Sequence, residues 1–342
     1  MEKKFLNGFL PLATLVCSFM VVGIHSYNAG NFSKMDVVSR LEGFLAHGVF
    51  MSAVPIFFFI SAYLFYRNTN SMVDIYGKMK RRINSVLIPF LAWSTIYYVF
   101  YAIGSKIFAL NTVVDVSIGG LIKGIIFYEY VFPMWFMFML VVFTMLAPLL
   151  MKILHCRRLS IIILIVSAVL GALDIDIDIT IGGGATRTLF AFNYFFYYWS
   201  GAIFAKYVKD FSKVISVIKK IPIVLSIIVI IIFSILETTI YDLIIPVFNI
   251  RIFVPIIALG MLVLLIKLYD KVEVKLNVST MLIYGIHPLI GILIGKTIWK
   301  VIKMPALGEF FFSWIINIFL SCIIAIIIRK IRPLNRILSG NR

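Results

Sequence analysis

Ten stretches of this chain run without a single Lys, Arg, Asp or Glu, and each is apolar for most of its length. They lie between Lys4 and Lys34, Glu42 and Arg67, Arg82 and Lys106, Glu129 and Lys152, and Arg158 and Asp174. The other five lie between Arg187 and Lys206, Lys220 and Glu237, Arg251 and Lys267, Lys275 and Lys296, and Glu309 and Arg329. A helix crosses a bilayer core of roughly 30 Å with about 20 apolar residues. The pattern therefore predicts an all-α integral membrane protein, a bundle of about ten transmembrane helices. The Arg158–Asp174 stretch is among the shortest. The first stretch follows Lys3 and Lys4 as a secretory signal would. It is too long for a signal core and lacks a small-x-small cleavage site, so it reads as a retained helix.

The charges between the stretches are sorted by side. The N-terminus, every second connection and the C-terminus together hold 23 of the 32 basic residues and five acids, a net +18. The remaining connections hold nine bases and ten acids, a net −1. Basic residues stay cytoplasmic, which places both termini inside. A pI near 9.8 would suggest nucleic acid in a soluble chain; here the surplus is topological, and no nucleic-acid partner is expected.

Composition agrees. The chain is 62% hydrophobic and 14% charged, with a mean hydropathy of +1.05. No soluble domain of this length could cover so much apolar surface. No repeat, low-complexity linker or appended soluble segment appears, so residues 1–342 read as one transmembrane domain, multi-pass in the cell membrane and in contact with its lipid. Cys17, Cys156 and Cys322 make no disulfide framework.

Polar exceptions within the spans are the candidates for chemistry. An ionisable side chain in a membrane helix is costly and therefore a functional candidate. His25 ends the first stretch, in Val21-Val22-Gly23-Ile24-His25-Ser26, and His287 lies in Tyr284-Gly285-Ile286-His287-Pro288. With cytoplasmic termini both fall in the outer half of the bilayer. Each also fits a histidine that merely bonds a neighbouring helix. Lys78-Met79-Lys80-Arg81-Arg82 stands at the inner lip of the third span, as a positive-inside anchor or as a grip on a phosphorylated cytosolic ligand. Pro55, in the run Ala53 to Phe65 that includes Ser61, can kink the second span. Trp135 is at interface depth, where indoles are common. Thr112 to Phe127 is mixed and suits the outer interface. Asp174, Asp176 and Asp178 alternate, as on one face of a short extended segment, ahead of Gly182-Gly183-Gly184. No ligand spacing completes a calcium site there, and no metal is expected.

Taken in order, these segments resemble the membrane acyltransferase-3 family, whose members O-acylate sugars and glycans at the cell surface. The late histidine of Val22-Gly23-Ile24-His25-Ser26 comes first, then Val54-Pro55-Ile56-Phe57-Phe58-Phe59-Ile60-Ser61-Ala62-Tyr63. The basic run before Leu87-Ile88-Pro89-Phe90 follows, then Met134-Trp135-Phe136, and finally Tyr284-Gly285-Ile286-His287-Pro288. The resemblance covers nearly the full length. It implies transfer of an acyl group, acetyl above all, from cytosolic acyl-CoA as co-substrate, with no bound cofactor. The acceptor would be a hydroxyl of an extracytoplasmic or lipid-linked glycan, and the location a bacterial inner membrane. Lys80, Arg81 and Arg82 would hold the donor and His25 would be catalytic, while His287, Tyr284, Trp135 and Ser61 would line the acceptor or pathway. Two positions depart from the family pattern: Ala62 replaces a glycine, and Thr14 replaces an arginine eleven positions before the histidine. A second class therefore stays open, a non-catalytic transporter or exporter, which intramembrane prolines, histidines and tyrosines suit equally. Thr14 favours that class; His25 and the basic lip favour the enzyme.

Overall fold

The computed structural model describes residues 2–26, 37–107, 114–181, 185–244, 252–269, 278–302 and 305–340. The glycine run 182–184, most of the connection 28–43, Thr112, Lys271 and Lys275 lie outside the described residues.

Helix occupies each of the ten uncharged stretches. The first holds α1 (Glu2–Ile24). In the second, α2 (Val37–Gly43) passes through a π-helical turn (Phe44–Val49) and a 3-10 turn (Phe50–Ser52) into α3 (Ala53–Tyr66). Ahead of the third, α4 (Met72–Arg82) passes through a π-helical turn (Ile83–Leu87) into α5 (Ile88–Ile107). Both changes of step precede a proline. Pro55 and Pro89 lack the N–H that would close on Met51 and Ser85, so the ladder is loosened there.

A short helix, α6 (Ile118–Ile126), packs back on α5 within the mixed segment. The fourth stretch is a broken pair, α7 (Trp135–Met145) and α8 (Ala147–Leu154), bent by 61° with Pro148 at the start of the second half. Next come α9 (Arg157–Ala172), α10 (Phe192–Tyr207), α11 (Phe211–Lys220), α12 (Ile223–Ile244), α13 (Val254–Tyr269), α14 (Thr280–Val301), α15 (Ala306–Lys330) and α16 (Arg332–Ser339). By length and composition Leu6–Ile24, Arg40–Tyr66, Met72–Gly104 and Leu307–Lys330 are each able to cross a membrane alone. The bent pairs α7–α8 and α11–α12 bring the number to six if each is one span.

One element departs from the helical pattern. β1 (Asp176–Ile181) pairs antiparallel with β2 (Ala185–Ala191), with an irregularity between Ile177 and Asp178. Two of the alternating aspartates, Asp176 and Asp178, lie in extended chain, whereas Asp174 is in the turn before the strand at φ 53°. Asp176 then stops the strand-to-helix junction from fraying, because its Oδ1 accepts the Phe192 N–H at 3.1 Å at the first turn of α10.

The core is aromatic and centred on α3 and α10. Phe58, Phe143, Tyr198 and Trp199 are fully buried there. Gly201 makes the approach possible, since a Cβ at that position would stand 2.2 Å from the Phe59 carbonyl oxygen of α3.

Candidate functional site

Two cavities lie at successive levels along α1 and α14. The first, about 500 Å³, is walled by α1, α3, α4, the π-helical turn after α4, α7 and α14. Lys78, Arg81 and Arg82 stand at its basic end, and Thr14, Ser18, Ser61 and Ser85 bring hydroxyls to its walls. Arg82 is held by Ser61, whose carbonyl and Oγ each accept from Nη2 at 2.9 Å, and its guanidinium lies 5.5 Å from the Phe65 ring centre. Among the described residues no carboxylate pairs with it. A half-buried cation without a counter-ion is poised for an anionic ligand.

The rest of the basic run divides by task. Lys78 donates to the carbonyls of Phe65 and Arg67 at 2.6 and 2.5 Å and to Thr69 Oγ1 at 2.5 Å, which caps the C-terminus of α3. Its three donors are thereby used. Arg81 lines the cavity, and Lys80 is exposed on α4 outside the lining. Thr14 Oγ1 bonds back to Leu10 O at 2.8 Å, so it offers the cavity no charge.

The second cavity, about 290 Å³, contains both intramembrane histidines, with Tyr97, Tyr101, Tyr130, Pro133 and Asn317 in its wall. The two imidazoles are 5.2 Å apart between ring centres and inclined by 31°. His25 follows the last turn of α1 and opens to the cavity; His287, on α14, is fully buried. The Ile283 carbonyl, 3.3 Å from His287 Nδ1, assigns the ring proton to that nitrogen. Nε2 keeps its lone pair and has no hydrogen-bond partner among the described residues.

The stretch of α14 that carries His287 is reshaped by its neighbours. Tyr97 Oη donates to Gly285 O at 2.9 Å and accepts from Leu289 N at 3.1 Å, occupying the place of the ladder bond between them. Pro288 has already removed the next donor. Gly285 admits the Trp93 indole, which a Cβ would meet at 2.0 Å. From α15, Asn317 donates to His287 O at 3.0 Å and accepts from Ser321 Oγ at 3.1 Å.

Tyr284 separates the cavities. Its ring walls the basic cavity, while its hydroxyl donates to the carbonyl of Pro133, a wall residue of the histidine cavity. His287 follows one turn later on the same helix. The spacing across the divide is set by α1, since Thr14 in one cavity and His25 in the other are eleven residues, roughly 16 Å, apart.

Of the residues singled out by sequence, His25 and His287 come together, as do Arg81, Arg82 and Ser61, and Tyr284 joins the groups. Trp135 stands outside both cavities, with its ring 4.4 Å from Tyr194 and 6.1 Å from Phe58. Asn317, Tyr97 and Tyr101 complete the histidine cavity without having been singled out. Asn317 had a legible signal, as a lone amide in the apolar stretch between Glu309 and Arg329.

The acyltransferase-3 family model, described as an acyltransferase domain, matches residues 12–329 of the chain. No curated protein and no solved structure matches it.

Proposed function

The chain belongs to the acyltransferase-3 family, and on that premise we propose that it moves an acyl group from cytosolic acyl-CoA to a hydroxyl of an extracytoplasmic or lipid-linked glycan. The observation that carries the reading is the meeting of a basic cavity and a two-histidine cavity at Tyr284. A charged, phosphorylated donor needs cations at the mouth it enters by. The acceptor needs a neutral base where the reaction occurs.

In this scheme both termini are cytoplasmic, and Arg81 and Arg82, with Lys80 at the lip, hold the donor phosphates. The pantetheine arm follows the apolar walls to Tyr284. His25 accepts the proton of the sugar hydroxyl as its oxygen attacks the thioester carbonyl. The carbon–sulfur bond breaks, and the departing thiolate takes that proton to leave as the CoA thiol. His287 fixes the second imidazole beside it. At 5.2 Å two imidazolium ions would repel, so the pair handles one proton at a time.

A second reading, a transporter-like member without transfer activity, rests on one observation. Thr14 brings no cation to the cavity where the family pattern has arginine. One experiment addresses both readings. Purified protein is supplied with labelled acetyl-CoA, and transfer to glycan is measured beside donor binding. His25→Asn is expected to accumulate normally and lose about 10²–10⁴ in rate. The combined Lys80→Gln, Arg81→Gln and Arg82→Gln variant is expected to weaken donor binding alone. Near-normal transfer by His25→Asn refutes the catalytic role. Absence of transfer by the unaltered chain, with recovery in Thr14→Arg, establishes the second reading.

A further inference from the structure

A third cavity, about 460 Å³, lies across α3 from the basic one, between α1, α3, α10, α11 and α13. Its walls are almost wholly apolar. The Ser200 hydroxyl is spent within α10, on Phe196 O at 2.7 Å. The cavity is also long. It follows α13 from Pro255 to Ile266, a rise of roughly 16 Å along the helix axis.

One end is closed by α11, which is bent by 84° from α12. Where α12 crosses a bilayer, α11 must therefore lie along its surface. Phe211, Val214, Ile215 and Ile218, at helical spacing, face the cavity, while Lys213 and Lys220 occupy the opposite face and Lys219 its flank. Two further cations mark the same end. Arg67 lies 5.6 Å from the Tyr63 ring, which stacks on Phe211 at 6.1 Å, and Lys267 donates to the Lys219 carbonyl. The acid at this end, Asp210, is engaged with Lys213, whose N–H it accepts at 3.0 Å and whose Nζ is 3.6 Å away.

We propose that this slot is a binding site for one acyl chain of an anionic membrane phospholipid, with its phosphate against Arg67 and Lys267. A methylene chain needs no hydrogen-bond partners, and the walls supply almost none. A peptide segment in the same place would leave its backbone groups unpaired. The basic rim selects the headgroup, since each Lys or Arg near a membrane surface favours an anionic lipid. The inference stands apart from acyl transfer, because the slot shares neither histidine nor Arg82 with that site.

Native mass spectrometry of the detergent-solubilised full chain tests it, with dioleoyl phosphatidylglycerol and dioleoyl phosphatidylcholine as probes. One phosphatidylglycerol is expected to survive detergent stripping in preference to phosphatidylcholine. Ala258→Trp, which fills the slot from α13, is expected to lose it. Arg67→Gln with Lys267→Gln is expected to weaken phosphatidylglycerol about thirtyfold and leave phosphatidylcholine unchanged. Neither of these two side chains is buried in the core, so the pair remains informative if Ala258→Trp fails to fold. Equal retention of the two lipids, or a retained lipid indifferent to both variants, overturns the proposal.

Discussion

Asp176 shows how a surface carboxyl becomes part of the fold at the scale of one residue. Burial beside the hairpin, outweighing the Phe192 N–H it accepts and reinforced by the Asp174 and Asp178 charges, lifts its pKa from 3.8 to about 6. A carboxyl with a raised folded pKa favours the protonated fold. Hairpin stability is therefore greatest below about pH 4 and declines as pH rises through about 6. Amide protection factors for Asp176–Ile181 and Ala185–Ala191, corrected for intrinsic exchange, should fall over that range. Asp176→Asn should flatten the dependence while keeping its bond to Phe192; an unchanged slope in the variant would assign it to another group. Residue types also governed how much of the site could be read beforehand. An imidazole in an uncharged run is conspicuous, so His25 and His287 stood out singly. Their 5.2 Å pairing did not, because it depends on where α1 and α14 cross. Tyr97 was hidden for another reason: a phenol in a membrane helix reads as packing until its hydroxyl is seen inside the ladder of α14.

Among the elements, hydrophobic runs located the helices because a membrane span must satisfy its own backbone and has few alternatives to helix. The finer shape depended on local breaks. Pro55, Pro89 and Pro148 were visible, but not that π-helical turns would precede the first two while the third would start a half bent by 61°. The hairpin was half legible. Alternating aspartates indicated extended chain, whereas Ala185–Ala191 carries no comparable alternation and pairs because the fold brings it alongside. Its placement matters to the histidine cavity. Arg187 Nη2 reaches Glu129 O at 3.3 Å and Tyr128 Oη reaches Thr188 O at 3.3 Å, so the hairpin steadies the turn leading to Tyr130 and Pro133. That turn is itself unusual, with Tyr128 at φ 43°. The surface helix α11 was concealed by its charge, since five lysines between Lys206 and Lys220 mark a cytoplasmic loop whether or not it is helical.

For the whole molecule, the one-sided distribution of charge makes the orientation testable. Reporter fusions after Asp74 and Asp210 are expected to read as cytoplasmic, and after Asp176 as extracytoplasmic. A reversed result at Asp210 would overturn the ten-span scheme, because that connection holds five lysines. If that orientation holds, Tyr284 has a duty unrelated to any substrate. A cavity entered from each side of a membrane leaves only the partition between them as insulation, and here that partition includes one phenol resting on the Pro133 carbonyl. In the proposed scheme, parting this contact for a donor would also open a path for protons across the membrane. Proteoliposomes carrying Tyr284→Ala are thus expected to dissipate an imposed pH gradient faster than those carrying the unaltered chain. Tyr284→Phe, which keeps the ring, should leak less than Tyr284→Ala, and equal leak in all three would place the seal elsewhere. On this view the tyrosine matters as much for what it withholds between reactions as for what it lets pass.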